Sequence, residues 1–155
     1  GPIYFQKKYQ INKTELYQDI RPKIINDIIS ETPNVCLNIL EGSLKSKEQN
    51  HDLANYCGKI KPEDGYINNF DVTTNDLFNL YRIFAKPLGT GMYLIKDEKK
   101  IEIEKLILPK NNSNYKGITG VVVNKESNIH WVKTFDNMIG IKFKNFDKKI
   151  GSRLG

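Results

Sequence analysis

The spacing of apolar residues changes once along the chain, near residue 90. Before this point apolar side chains recur at helical intervals, as Ile24, Ile25, Ile28 and Ile29 do. After Gly91 the apolar stretches are short and in places alternate with charged residues, which is typical of strands. The pattern therefore predicts an α+β fold, in which N-terminal helices pack on one face of a C-terminal antiparallel sheet.

We expect five helical segments in the first half. Proline removes a backbone donor and clashes with the preceding turn, so Pro22 and Pro33 are expected to interrupt the helices. Thr14 is a candidate cap for the first segment, and Thr73 or Thr74 for the last. The first segment is expected to start near Glu15, and the next three to cover residues 24–29, 34–45 and 49–56. The fifth is expected to stop before Pro87.

The second half predicts five strands, at 92–95, 101–105, 118–123, 129–135 and 139–145. A charged turn joins the first two, and residues 111–114 are expected to form a loop. Asp136-Asn137 is a plausible hairpin turn between the last two strands. The polar tail from residue 147 is expected to fray.

Length and composition suit a single domain over residues 1–155. Apolar residues make up 39% of the chain and charged residues 27%, which is enough to support one core. Gly1-Pro2 resembles the remnant of a cleaved tag, so we expect the domain to be excised from a longer protein.

The net charge of +6 lies in the second half of the chain. Residues 1–90 contain 11 basic and 11 acidic residues, whereas residues 91–155 contain 13 and 7. A basic C-terminal half suits nucleic acid, an anionic cell-wall polymer or an acidic protein as a partner. The alternative is a solvated, lysine-rich sheet face.

Several classes of protein are disfavoured. Two cysteines are too few for a disulfide framework, and two histidines without ligand spacing predict no zinc site. Gly89-Thr90-Gly91 is too short to be a phosphate-binding loop, so we expect no cofactor. No apolar run is long enough for a membrane span.

Cys36 is the candidate nucleophile. It falls in the first turn of the helix predicted at 34–45, and a helix N-terminus favours a thiolate. Cys57 falls at the end of a predicted helix, where a thiolate is disfavoured. The alternative for Cys36 is a small buried apolar residue.

His130 and Asn145 are candidate partners of Cys36. His130 opens a strand, and Asn145 shares the face of Ile141 and Phe143 on the next strand, so it is expected to point inward. An inward amide needs a partner, and an imidazole N–H is one. Asp147 and Asp136 remain alternatives for this orienting role.

A cysteine at a helix start, a histidine opening a strand and Asn or Asp after the next strand follow the chain order of papain-like cysteine hydrolases. His130-Trp131-Val132 through Asn145 resembles the histidine hairpin of that clan, in particular that of bacterial effector deamidases and of leader peptidases of bacteriocin exporters. Asn34-Val35-Cys36 resembles the helix start of type VI secretion peptidoglycan amidases. Ser30 stands where the papain-type glutamine would be, which favours amidase or deamidase chemistry over endopeptidase activity.

The resemblance implies a papain-like domain with Cys36 as nucleophile, His130 as base and Asn145 as its orienter. The thiolate would attack an amide carbonyl, His130 would protonate the leaving amine, and water would hydrolyse the thioester. The implied protein is a bacterial toxin or effector, secreted or delivered into a target cell. Its expected partners are a protein or peptidoglycan substrate and a neutralising immunity protein.

Two other functions compete with this hydrolase. A metal-independent ribonuclease toxin would use His130 with lysines, Arg82 or Tyr115, and the positive charge would bind phosphates. A binding module without chemistry would use neither Cys36 nor His130 catalytically.

Overall fold

The computed structural model describes residues 1–111 and 115–154. The chain divides into two compact units, Gly1–Lys59 and Ile60–Gly155. The prediction that residues 1–155 form one domain stays a prediction. Of the loop predicted at 111–114, residues 112–114 lie outside the described residues.

Helix α1, Tyr17–Leu40, dominates the N-terminal unit. Its N-cap residue is Leu16, whose backbone N–H donates to the Asp19 carboxylate at 2.8 Å. The helix runs through both Pro22 and Pro33, so the predicted interruptions at these prolines are wrong. The three helices expected between residues 15 and 45 are one, and the cap is not Thr14.

Polar contacts connect the N-terminal segment to α1. The Tyr9 hydroxyl donates to Asp27 at 2.6 Å, and the Lys7 ammonium lies 2.8 Å from the same carboxylate. The helix predicted at 49–56 is also wrong, because only the 3-10 turn His51–Leu53 forms there. Residues 1–59, all of which the structure describes, include no buried side chain.

The core lies in the C-terminal unit. A 3-10 turn, Pro62–Gly65, leads to helix α2, Thr74–Phe84, where the predicted cap and helix are confirmed. The Thr73 hydroxyl accepts from the Asp76 N–H at 3.1 Å. Helix α2 lies against the sheet at β2 and buries four large side chains, Leu77, Phe78, Tyr81 and Phe84.

Five strands form one antiparallel sheet, as predicted: β1 Met92–Lys96, β2 Lys99–Ile107, β3 Val122–Glu126, β4 Ile129–Lys133 and β5 Met138–Phe143. Their order in the sheet is β1-β2-β5-β4-β3. Strand β3 starts four residues later than expected, and a two-residue turn with Ser127 at positive φ joins its end directly to β4. N-terminal helix and C-terminal antiparallel sheet together confirm the α+β fold.

The strand register separates two faces of the sheet. One is the buried face, which carries core residues such as Leu106, Val122, Val132, Ile139 and Ile141. The opposite side, which we call the open face, carries side chains that are mostly half-buried or exposed. On β2 to β5 the open face includes Lys105, Ile107, Asn124, Glu126, Ile129, Trp131, Lys133, Met138 and Lys142, with Gly140 among them. The Glu104 carboxylate contacts Lys142 on this face at 2.6 Å.

The C-terminal tail does not fray as expected. Leu154 is buried, and its N–H donates to the Gly120 carbonyl at 2.8 Å. Arg153 pairs with Val121 in an antiparallel bridge, so the tail extends the pairing next to β3. Within the described residues, no helix is both long and apolar enough to cross a membrane.

Candidate functional site

The place of Cys36 within its helix differs from the prediction. It is in the last two turns of α1 and is exposed, not in the first turn of a helix. The nearer helix end is therefore the C-terminus, where the helix dipole does not favour a thiolate. Cys57 is exposed as well and lies outside any helix.

His130 lies on β4 in the C-terminal unit, and its ring is in the core. The residue is 1% exposed, and the ring packs against Phe143 with 5.3 Å between ring centroids. Its Nε2 is 2.7 Å from Oδ1 of Asp147. A carboxylate oxygen only accepts, so Nε2 carries a proton and donates to Asp147.

The other ring nitrogen of His130 is enclosed. Nδ1 is buried and has no hydrogen-bond partner within the described residues. The backbone N–H of Lys148 lies 3.2 Å from Nε2, but the shorter contact to the carboxylate decides the tautomer. Neither ring nitrogen of His130 therefore has a free lone pair that solvent can reach.

Asp147, and not Asn145, is the residue that contacts His130. Asp147 also accepts from the Lys125 ammonium. The hydrogen bond from Lys125, followed by the one from His130, lowers the pKa of Asp147 below its ordinary value. Asp147 is one of the alternatives that the sequence left open for the orienting residue, and its orienting role in catalysis stays a prediction.

Asn145 is exposed, because β5 ends at Phe143 and the chain then turns with Asn145 at φ +53°. Its predicted inward orientation is therefore wrong. Asp136 is engaged elsewhere, since it accepts from the backbone N–H of Thr74 at 2.8 Å. Burial acts to raise the pKa of Asp136, but its hydrogen bonds, those from Thr74 foremost, outweigh burial and lower it.

Asp147 and Asn145 line a surface cleft of about 570 Å³ at one end of the sheet. Lys125 and Lys142 also border it, and Lys142 is paired with Glu104 at 2.6 Å. Within the described residues, no three His, Cys, Asp or Glu side chains are arranged to hold a metal ion. The cleft offers cations and amides, with acidic groups beside them.

Two lysines stand directly opposite each other on the open face. Lys105 of β2 pairs in register with Lys142 of β5. Like charges at such positions repel each other. Glu104 balances Lys142, while Lys105 is exposed and has no ion pair in the part of the chain that the structure describes.

A second cleft, of about 510 Å³, lies on the same open face. We call it the Trp131 cleft, after the half-buried indole that borders it. The segment after β2 forms one wall. Residues that line the cleft include Ile107, Pro109, Asn111, Asn124, Trp131 and Met138.

The sequence pattern did not predict the open face, because a local irregularity in β2 breaks the alternation of its side chains. Strict alternation placed Lys105 on the face of Ile101 and Ile103. A register shift in β2 between Ile103 and Lys105 puts Lys105 on the opposite face. The positive charge of the second half was the available signal, but it did not indicate which lysines stand together.

Comparisons with known proteins bear on the fold. No family model and no curated protein matches the chain. The chain is similar in structure to a variant of HypX from Aquifex aeolicus, with a TM-score of 0.58 and 14% sequence identity. The match covers 91% of this chain and 25% of HypX, so the chain spans about a quarter of HypX. This likeness concerns the fold alone, and the resemblance to papain-like hydrolases stays a prediction.

Proposed function

We propose that this chain is a binding module without chemistry of its own, and that its open face holds single-stranded RNA. The observation that carries this proposal is the pairing of Lys105 with Lys142 on the same sheet face as the Trp131 cleft. Single-stranded nucleic acids are held by cations along the backbone and by aromatic side chains that stack on the bases. An exposed sheet face is a common platform for both.

The charge distribution supports an anionic ligand. The excess of basic over acidic residues lies entirely in residues 91–155, the part of the chain that contains the sheet. Lys110 adds a further cation at the rim of the Trp131 cleft. Glu126 is the carboxylate that borders the cleft, and it opposes phosphate binding on that side.

The surroundings of the candidate nucleophile and of the candidate base support a role without catalysis. His130 donates one ring proton to Asp147, and its other nitrogen is buried. Cys36 is exposed near the C-terminal end of α1, which gives its thiol no assistance from the helix dipole. The hydrolase, its toxin role, delivery into a target cell, the substrate and the immunity protein all stay predictions.

The extent of the HypX match supports a module within a longer protein. A fold that occupies about a quarter of another chain suits one part of a multidomain protein. In such a protein the RNA would be held on the sheet while another part of the polypeptide acts on it.

The test is binding of a fluorescently labelled 12-nucleotide RNA, followed by anisotropy at several salt concentrations. We expect a dissociation constant of about 1–100 µM at physiological salt. The double variant Lys105→Gln/Lys142→Gln should weaken binding and reduce the slope of log K against log salt by about 1.4, which is about 0.7 for each phosphate contact.

The double variant Lys96→Gln/Lys99→Gln is the matched control. Lys96 and Lys99 are also paired in register, but at the tip of the β1–β2 hairpin. This control should leave the slope nearly unchanged. Equal losses in both double variants, or no binding at about 50 mM salt, would overturn the proposal. Cleavage of the RNA by the wild type, lost in His130→Ala, would establish the ribonuclease instead.

A further inference from the structure

We propose that the Trp131 cleft is a subsite for one unpaired nucleobase, which stacks on the indole ring of Trp131. This inference rests on the proposed function and assigns the base-binding part of it to one side chain. Three features of the cleft carry it: the flat support beneath the ring, the amides at the rim and the nearby lysines.

Gly140 provides the flat support. It is the register partner of Trp131 on β5, and the indole ring lies across it. A Cβ at position 140 would stand 3.3 Å from Cη2 of Trp131, 3.0 Å from Ile129 and 3.2 Å from Ile107. Any side chain there would push the ring or its neighbours, so glycine lets the ring lie low on the sheet.

The rim of the cleft suits a heteroaromatic ring. Asn111 and Asn124 both border it, and each amide carries donors as well as an acceptor. The side-chain oxygen of Asn124, Oδ1, already accepts from the backbone N–H of Lys125 at 2.7 Å, which leaves the side-chain amino group for a ligand. Mixed donors and acceptors match the edges of nucleobases, which splay out of single strands.

The lysine pair lies at the distance a connected phosphate needs. Lys142 and Gly140 are two residues apart on β5, which corresponds to roughly 7 Å along the strand. Lys105 stands opposite Lys142, and both belong to the open face. A base on Trp131 therefore leaves its phosphate near these two lysines, of which Lys105 has no ion pair in the described chain and Lys142 is shared with Glu104. The volume of the cleft, about 510 Å³, accommodates a nucleoside.

The first measurement uses the wild-type chain alone. Trp131 is the single tryptophan of the sequence, so intrinsic fluorescence reports on this cleft specifically. Uridine monophosphate and adenosine monophosphate should each quench this emission saturably, whereas ribose 5-phosphate at the same concentration should not. Quenching by ribose 5-phosphate to the same extent, or no quenching by either nucleotide, would overturn the subsite.

The second measurement compares Trp131→Ala with Trp131→Phe for binding of the labelled 12-nucleotide RNA. The alanine variant should bind about tenfold or more weakly with an unchanged salt slope, because it loses stacking but no phosphate contact. The phenylalanine variant should retain most of the affinity. An abasic strand of equal length should bind the wild type and Trp131→Ala alike.

These results separate the two proposals. If Lys105→Gln/Lys142→Gln weakens RNA binding but Trp131→Ala does not, the subsite is wrong and the RNA-binding face stands. If no RNA binds while nucleotides still quench Trp131, the proposed function is wrong and the cleft takes a free nucleotide. Should the alanine variant fail to fold, the nucleotide titration of the wild type decides the matter.

Discussion

Asp147 accepts hydrogen bonds from Lys125 and His130 through the same carboxylate oxygen. It is itself largely exposed, with a side-chain exposure of 69%, so it joins a buried ring to the protein surface. The hydrogen bond between His130 and Asp147 fixes the tautomer of His130 and holds its ring in the core. A role for His130 in holding β4, β5 and the C-terminal segment together follows directly from these contacts.

The first prediction concerns acid stability. The folded pKa of Asp147 lies below its unfolded value, so its contacts stabilise the fold fully above the unfolded pKa. That contribution is lost as the pH falls through the folded pKa. Asp147→Asn should therefore melt below the wild type at about pH 6, and the difference in Tm should shrink towards about pH 2.

Asp71→Asn is the control for this experiment, because Asp71 is an exposed carboxylate without an ion pair in the described part of the chain. Thermal melts followed by circular dichroism provide the Tm values. A gap between wild type and Asp147→Asn that stays constant from about pH 6 to about pH 2 would show that the carboxylate is not ionically coupled to its neighbours.

The second prediction concerns the cysteines. Cys36 and Cys57 are both exposed, and neither lies at a helix N-terminus. Iodoacetamide should alkylate them at rates within about threefold of each other near neutral pH. Mass spectrometry of Cys36→Ser and Cys57→Ser measures each thiol separately. Much faster reaction of Cys36, abolished by His130→Ala, would support the cysteine hydrolase.

Among the secondary-structure elements, α1 is one continuous helix, although the rule against internal proline predicted separate segments. Pro33 supplies no N–H to the carbonyl of Ile29, and Pro22 supplies none to that of Gln18. Apolar spacing on both sides of each proline is helical, which was the available signal. The rule against internal proline outweighed that signal in the prediction, although a long helix tolerates a local loss of hydrogen bonding.

The third prediction follows from these missing hydrogen bonds. Pro33→Ala should stabilise the second half of α1 by about 1–3 kcal/mol, since it restores one backbone hydrogen bond and removes a clash. Amide exchange in residues 34–40 should slow about tenfold or more. Asn34→Ala, a neighbouring change that improves only helix propensity, should slow exchange much less. Equal effects of the two variants would mean that Pro33 costs the helix little.

Across the whole molecule, burial is distributed unevenly between the two units. Residues 1–59 contain no buried side chain, and large apolar residues of α1 such as Ile29 and Leu40 are more than half exposed. Every buried apolar residue of the described chain belongs to residues 60–155. Most of the free energy of folding that comes from apolar burial therefore resides in the C-terminal unit.

The fourth prediction is that residues 60–155 fold alone. The isolated fragment should show one cooperative thermal transition, whereas residues 1–59 alone should show none, because they lack a core. Scanning calorimetry of both fragments beside the full chain measures this. Absence of a transition in the 60–155 fragment would show that its core depends on the preceding residues.

The sequence by itself determined that helices precede a five-stranded antiparallel sheet, but not the number or bounds of the N-terminal helices. Short apolar or β-branched runs, with alternation at 101–105, indicated the strands, and the Thr73 cap indicated α2, because these signals depend on neighbours a few residues apart. Only the tertiary structure decided that Asp147 reaches His130 and that Lys105 stands opposite Lys142. Both pairings depend on where β5 ends and how β2 shifts its register, which are set by packing between distant residues and not by local spacing.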